Sequence, residues 1–141
     1  MLDRRFRDSV RILRGIAHHV FRIVEAHIEA DERRIELSNE LIMDDTEKVQ
    51  PGDDVAAYAD RVIARFEAWW VAHPDKAQAR EMDTYFGRVL AHEVLERTTW
   101  HAAQHMRQLM LVVQTEGIVI DWPIGAEVLG GLPMPERVWE D

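Results

Sequence analysis

The chain has 141 residues, 47% hydrophobic and 30% charged, a balance that fits one soluble globular domain. Its net charge of -9 argues against a nucleic-acid or membrane partner, because an acidic surface repels phosphate backbones and anionic lipids. There is no apolar run of about 20 residues to span a bilayer. The absence of cysteine excludes disulfides, cysteine metal ligands and cysteine nucleophiles. The charged N-terminus, MLDRRFRDSV, lacks the apolar stretch of a signal peptide, so we expect a cytoplasmic protein.

The first two predicted helices flank a turn-forming segment. Helical periodicity without proline predicts a first helix from residue 3 to about residue 42. The segment MDDTEKVQPGDD then breaks the pattern, and either Asp53 or Asp54 is suited to cap the next helix. The second helix is expected over residues 54 to 72, and Pro74 ends it.

A third helix and a non-helical tail complete the predicted chain. The helix is expected from about Thr84 to Gly117, a natural C-cap. Residues 121 to 141 form a tail rich in proline and glycine, expected to pack on the bundle through Trp122, Leu132 and Trp139. Strand signals are nearly absent, so we predict an all-α bundle domain over residues 1 to 120, followed by this tail.

Two histidines of the third helix are candidate metal ligands. Each helical position rotates by about 100°, which places His101 and His105 side by side on the apolar face, one turn apart. Buried imidazoles need hydrogen-bond partners or a metal ion, and this spacing allows both rings to bind one ion. Residue 102 is alanine, which excludes the HExxH zinc-protease motif because its glutamate is missing.

The first helix supplies a third candidate ligand. On the helical wheel His19 lies at the edge of the apolar stripe and His27 near its middle, whereas His18 groups with Arg22 and Glu25 on the polar side. The wheel therefore nominates His19, keeps His27 as a second choice and disfavours His18. The competing interpretation is that these imidazoles are buried for structural reasons alone.

Two segments resemble the DinB/YfiT-like family. The segment ERTTWHAAQHMRQL followed by EGI resembles the last helix of that family, which carries a W-H-x-x-x-H-x-x-Q-L pattern, and IAHHVFRIVEAHIEAD resembles its earlier histidine helix. The resemblance implies a four-helix bundle that binds a divalent metal through His19, His101 and His105, with His18 as the alternative alignment to His19. It also implies thiol-dependent S-transferase, isomerase or metal-dependent hydrolase activity.

The chain departs from the family pattern because only about ten residues precede the first histidine helix. A short N-terminal helix, the C-terminal tail or a dimer partner would complete the bundle, and we favour a homodimer with two-fold symmetry.

A three-histidine site would suit Zn, Ni or Fe and would leave a position open for water or substrate. Because the chain has no cysteine, a thiol would arrive as a low-molecular-weight co-substrate, and we favour thiol transfer over hydrolysis. Glu25 and Glu116 are the candidate bases for hydrolysis, and the catalytic residues are otherwise unknown.

Four further side chains have candidate roles near the metal. Gln104 and Gln108 are candidates to orient the ligands, and Arg97 and Arg107 to hold an anionic small-molecule substrate. Solvent-exposed helix positions are the more common explanation for the glutamines, and exposed arginines usually pair with a glutamate one turn away, such as Glu93 for Arg97. The alternative function is a non-catalytic helical module for dimerisation or partner binding.

Overall fold

The computed structural model describes residues 2, 12–44, 49–50, 52–121 and 123–139. Within these residues the chain is mostly helical, with five helices and one two-stranded antiparallel sheet. The elements in chain order are α1 (Leu13–Arg33), α2 (Asn39–Met43), α3 (Val55–Ala72), β1 (Glu81–Thr84), β2 (Gly87–Leu90), α4 (Ala91–Thr115) and α5 (Ala126–Leu129). None of the described helices is both long and apolar enough to cross a membrane.

The first helix is shorter than its periodicity predicts. It ends at Arg33 because Arg34 adopts the left-handed conformation, with φ of 55°, and its backbone N–H bonds back to Ala30 and Asp31. Leu37 then pairs with Thr84 in an isolated bridge, and the Ser38 hydroxyl accepts the Leu41 N–H to begin α2. The prediction of one helix to about residue 42 is therefore wrong, and its first residues, 3 to 11, lie outside the described part.

The second predicted helix is confirmed as α3. Of the two candidate caps, Asp54 caps it, since its carboxylate accepts the Ala57 N–H at 2.9 Å. Asp53 instead accepts the Gln50 N–H within the preceding turn. The helix ends at Ala72, two residues before the proline that predicts its end.

The third predicted helix begins later than expected, because residues 81 to 90 form a β-hairpin. Glu81 pairs with Leu90 and Thr84 with Gly87, whose φ of +121° closes the turn. Met82 and Thr84 point inward while Glu81 points to solvent, an alternation that buries one face of β1. The prediction of a purely α-helical chain with a helix from Thr84 is thus wrong over this segment. At the other end, Gly117 follows α4 with a φ of +74°, in agreement with the predicted stop.

Helix α1 lies at the centre, and both α3 and α4 pack against it. At one end, the hairpin-end cluster joins Ile23 and Ala30 of α1 with Val94 of α4 and Met82 of the hairpin. At the other end, the tail-end cluster joins the start of α1 with the end of α4; it comprises Leu13, Ile16, Leu109, Val112, Leu2 and Trp139. These pairings show that α1 and α4 run antiparallel.

The C-terminal segment returns along α4. Gln104 donates to the carbonyl of Val138 at 2.8 Å, and Arg107 donates to the carbonyl of Pro135 at 2.9 Å. Trp139 packs into the tail-end cluster, and Leu132 is half-buried. Trp122, the third residue expected to hold the tail, lies outside the described residues.

Candidate metal centre

Three histidines meet midway along the contact between α1 and α4. His19 lies on α1 between Ile16 and Ile23, which belong to the two opposite core clusters. His101 and His105 take the equivalent position on α4, between Val94 and Leu109 of the same two clusters. The antiparallel packing therefore places three imidazoles in a helix interface that is otherwise apolar at both ends.

The rings of His19, His101 and His105 form a compact group. Each residue offers one ring nitrogen, and these nitrogens all lie within 4.8 Å of one another. The ring centroids are 5.7 Å apart for His19 and His101, 5.1 Å for His19 and His105, and 4.9 Å for His101 and His105. His19 is buried and the other two rings are half-buried, so the group is reached from the α4 side.

Gln108 fixes the orientation of one of these rings. The His105 Nδ1 lies 2.8 Å from the Gln108 Oε1, which can only accept, so Nδ1 carries the proton and Nε2 carries the lone pair. The amide nitrogen of Gln108 in turn donates to the Val138 carbonyl at 3.2 Å. Gln108 thus joins the histidine group to the C-terminal segment, whereas Gln104 contacts that segment and Arg107.

The other two histidines of α1 lie outside this group. His18 stacks on Tyr58 of α3 with ring centroids 4.1 Å apart and planes at 7°. His27 is buried against Trp69 of α3, with its ring edge-on at 5.5 Å. Of the three candidates on this helix, the structure brings His19 alone to His101 and His105.

Glu25, one of the candidate bases, contacts side chains of α3. Its carboxylate accepts hydrogen bonds from the Tyr58 hydroxyl at 2.6 Å and from Arg22 at 3.0 Å, and it pairs with Arg65. Burial alone would raise the pKa of Glu25, but these hydrogen bonds and positive charges outweigh it and lower that pKa. Glu116, the other candidate, lies at the C-cap of α4, about three turns beyond His105.

Arg22 departs from its predicted place on the polar side of α1. It is 4% exposed, and its guanidinium donates to the carbonyl of Leu41 and to both Glu25 and Glu29. Burial would lower the pKa of Arg22, but the hydrogen bonds to the two carboxylates raise it, so the guanidinium stays charged. The helical wheel predicted a solvent-facing residue because it does not show that Leu41 of α2 packs against this side of α1 and accepts hydrogen bonds from Arg22.

Arg97 lies among aromatic rings one turn before His101. Its guanidinium carbon is 4.4 Å from the centre of the Phe86 ring and 5.3 Å from that of Trp100. Its Nη2 donates to the Tyr85 hydroxyl at 3.2 Å. The Glu93 carboxylate, four residues before Arg97, accepts the N–H of Leu90 instead of pairing with the Arg97 guanidinium. This arrangement could not be predicted from the sequence, because Tyr85 and Phe86 form the turn of a hairpin that was not expected.

Comparisons of the chain with protein-family models, with curated proteins and with solved structures found no match.

Proposed function

We propose that this protein is a metal-dependent enzyme of the DinB/YfiT-like type, with His19, His101 and His105 as the ligands of one divalent ion. The observation that carries the proposal is the convergence of three ring nitrogens from two helices within 4.8 Å of one another. A purely structural role would need each ring to find a separate hydrogen-bond partner, and it would not require the three to meet.

The donor set fits such an ion. Three imidazoles suit Zn, Ni or Fe(II), and three protein ligands leave a coordination position open. Nitrogens bound to one ion stand about 3–4 Å apart because each bond is about 2 Å long, so binding requires only a small closing movement of the rings. The Gln108 contact already presents the Nε2 lone pair of His105, as hydrogen bonds to ligand histidines do in metal sites.

We favour thiol-dependent S-transferase chemistry over hydrolysis. A bound divalent ion lowers the pKa of a coordinated thiol, which supplies a nucleophile near neutral pH. The thiol is a separate co-substrate because the chain has no cysteine. Glu25 is held by α3 and Glu116 lies at the end of α4, so neither carboxylate takes the role of a base beside the histidines.

Arg97 is suited to hold an anionic group of the substrate. It lies four residues before His101 and therefore on the same face of α4. The aromatic rings around it orient its planar guanidinium, which can bind a carboxylate through two hydrogen bonds. Arg107 is less suited, since it donates to Gln104 and to the backbone of Pro135.

Metal content tests the proposal directly. Protein purified without an affinity tag is expected to hold close to one equivalent of Zn, Ni or Fe by elemental analysis. His19→Ala and His101→Ala should each lose that metal, because two remaining imidazoles bind an ion weakly.

His18→Ala is the matched control, since this neighbouring ring stacks on Tyr58 and should leave the metal content unchanged. Metal-free protein whose thermal unfolding does not respond to zinc or to a chelator would contradict the proposal. That result would favour the alternative, a non-catalytic module for dimerisation or partner binding. The homodimer and the cytoplasmic location remain predictions.

A further inference from the structure

A second feature of the fold is an open cavity of about 430 Å³ that the three long helices line. Helix α1 forms its floor through Val20, Val24 and His27, while α3 and α4 form its two walls. Its volume lies in the range of small-molecule sites in proteins. Ile63 of α3 lines it and is 47% exposed, so the cavity communicates with solvent.

The cavity is separate from the histidine group. Val20 and Ala102 line it and are the sequence neighbours of His19 and His101, but none of the three grouped histidines does. Adjacent helical residues point about 100° apart, so the two sites open on different sides of α1 and α4.

His27 is the unusual residue in this cavity. It is 1% exposed, and both of its ring nitrogens lie covered beneath the cavity surface. Among the described residues neither nitrogen has a hydrogen-bond partner. A buried polar group without a partner is unfavourable and rare in folded proteins. Burial, together with the positive charge of Arg80, lowers the pKa of His27 to about 4, so the ring is neutral near pH 7 and offers one donor and one acceptor.

The other residues that line the cavity disfavour a negatively charged ligand. Valine, isoleucine, phenylalanine and leucine side chains form most of the walls, and Glu67 is the one acidic residue among them. A carboxylate would lose its hydration there, would face a neutral imidazole and would be repelled by Glu67. An uncharged hydroxyl can either donate to or accept from the ring.

We propose that this cavity binds an uncharged, mainly apolar small molecule that carries one hydroxyl group, and that the side chains covering His27 shift on binding so that this hydroxyl hydrogen-bonds to its ring. The proposal does not depend on metal binding at His19, His101 and His105.

A matched pair of probes tests it, namely 2-naphthol and 2-methylnaphthalene, which differ in the hydroxyl alone. Calorimetric titration of the full chain should show saturable binding of 2-naphthol and weaker binding of 2-methylnaphthalene. His27→Phe should weaken 2-naphthol binding roughly five- to ten-fold, as expected for one lost hydrogen bond, and should leave 2-methylnaphthalene unchanged. His92→Phe, a change to a half-buried histidine of α4 outside the cavity, is the control.

The wild-type protein gives a second readout that does not depend on the folding of a variant. The ring nitrogen chemical shifts of His27 should move on addition of 2-naphthol and stay in place with 2-methylnaphthalene. His101→Ala should still bind 2-naphthol, which separates this cavity from the metal site.

Three outcomes would overturn the proposal. They are no saturable binding, equal affinity for the two probes, and 2-naphthol binding that leaves the His27 ring shifts unmoved. A second copy of the chain that fills the cavity would give the first of these outcomes, together with a dimer in solution.

Discussion

Gln108 shows how one side chain links the C-terminal segment to the histidine group. It holds His105 with its amide oxygen and the Val138 carbonyl with its amide nitrogen. If the proposed metal site is correct, Gln108→Ala should weaken metal binding about 10- to 100-fold, because the His105 ring loses the contact that sets its proton and orientation. A titration against a metal-binding indicator measures this change.

Gln114→Ala is the control for this experiment, since that exposed glutamine lies on the same helix, six residues further on. An unchanged affinity in the Gln108 variant would show that the His105–Gln108 contact has no role in metal binding.

Helical geometry could predict that His18 and His19 face different neighbours, but the choice between His19 and His27 depends on how α3 and α4 pack against α1. His18 and His19 are adjacent and must face different neighbours, and the structure places His18 on Tyr58 and His19 beside His101 and His105. The buried position of Arg22 could not be predicted in this way. Its burial depends on the Leu41 carbonyl and on Glu25 and Glu29, which satisfy the charge only in the folded chain.

At the level of elements, the end of α1 is the clearest departure from the sequence pattern. Arg34 holds the left-handed conformation that glycine adopts without strain. Arg34→Gly should therefore raise the free energy of unfolding by about 0.5–1 kcal/mol, provided that relief of strain exceeds the extra entropy of the unfolded chain. Urea unfolding monitored by circular dichroism measures the difference.

Arg33→Gly provides the comparison. Residue 33 is the last residue of α1, so glycine there should lower the stability or leave it unchanged. A loss of stability in Arg34→Gly would contradict the prediction, because the entropy gained by the unfolded chain would then exceed the strain relieved at this position.

The end of α1 and the hairpin before α4 could not be predicted, and both have the same physical reason. Neither glycine nor proline marks the end of α1, and Leu37 leaves the helical path to pair with Thr84, a residue far away in sequence. The hairpin has only four residues per strand, too few for its alternation to stand out from a helical pattern. Where the sequence carries a typical capping residue, as at Asp54 and Gly117, the predicted helix boundaries were close to those observed.

On the scale of the whole molecule, His27 should make stability depend on pH. The pKa of His27 is about 4 in the folded chain against a usual value of 6.5, so the unfolded chain binds the proton more tightly. The stability that the neutral ring contributes is complete above about pH 6.5 and is lost as the pH falls toward 4. The loss is on the order of 3 kcal/mol.

Urea unfolding at pH 7 and pH 4.5 measures this dependence. Other groups titrate over the same range, so the difference between wild type and His27→Gln isolates the contribution of His27. The glutamine variant should lose distinctly less stability on acidification, and His92→Gln should behave like the wild type. Equal acid sensitivity of the wild type and the His27 variant would contradict a depressed pKa.

The placement of His101 and His105 at the centre of α4, between two apolar clusters, has a dynamic consequence. Fraying starts at helix ends and involves only the outer turns, so it does not expose the backbone around these residues. Their amide protons should exchange with deuterium only when the whole chain opens. Any ion or small molecule would consequently enter and leave past the half-buried rings on the α4 side, while the helical backbone stays closed.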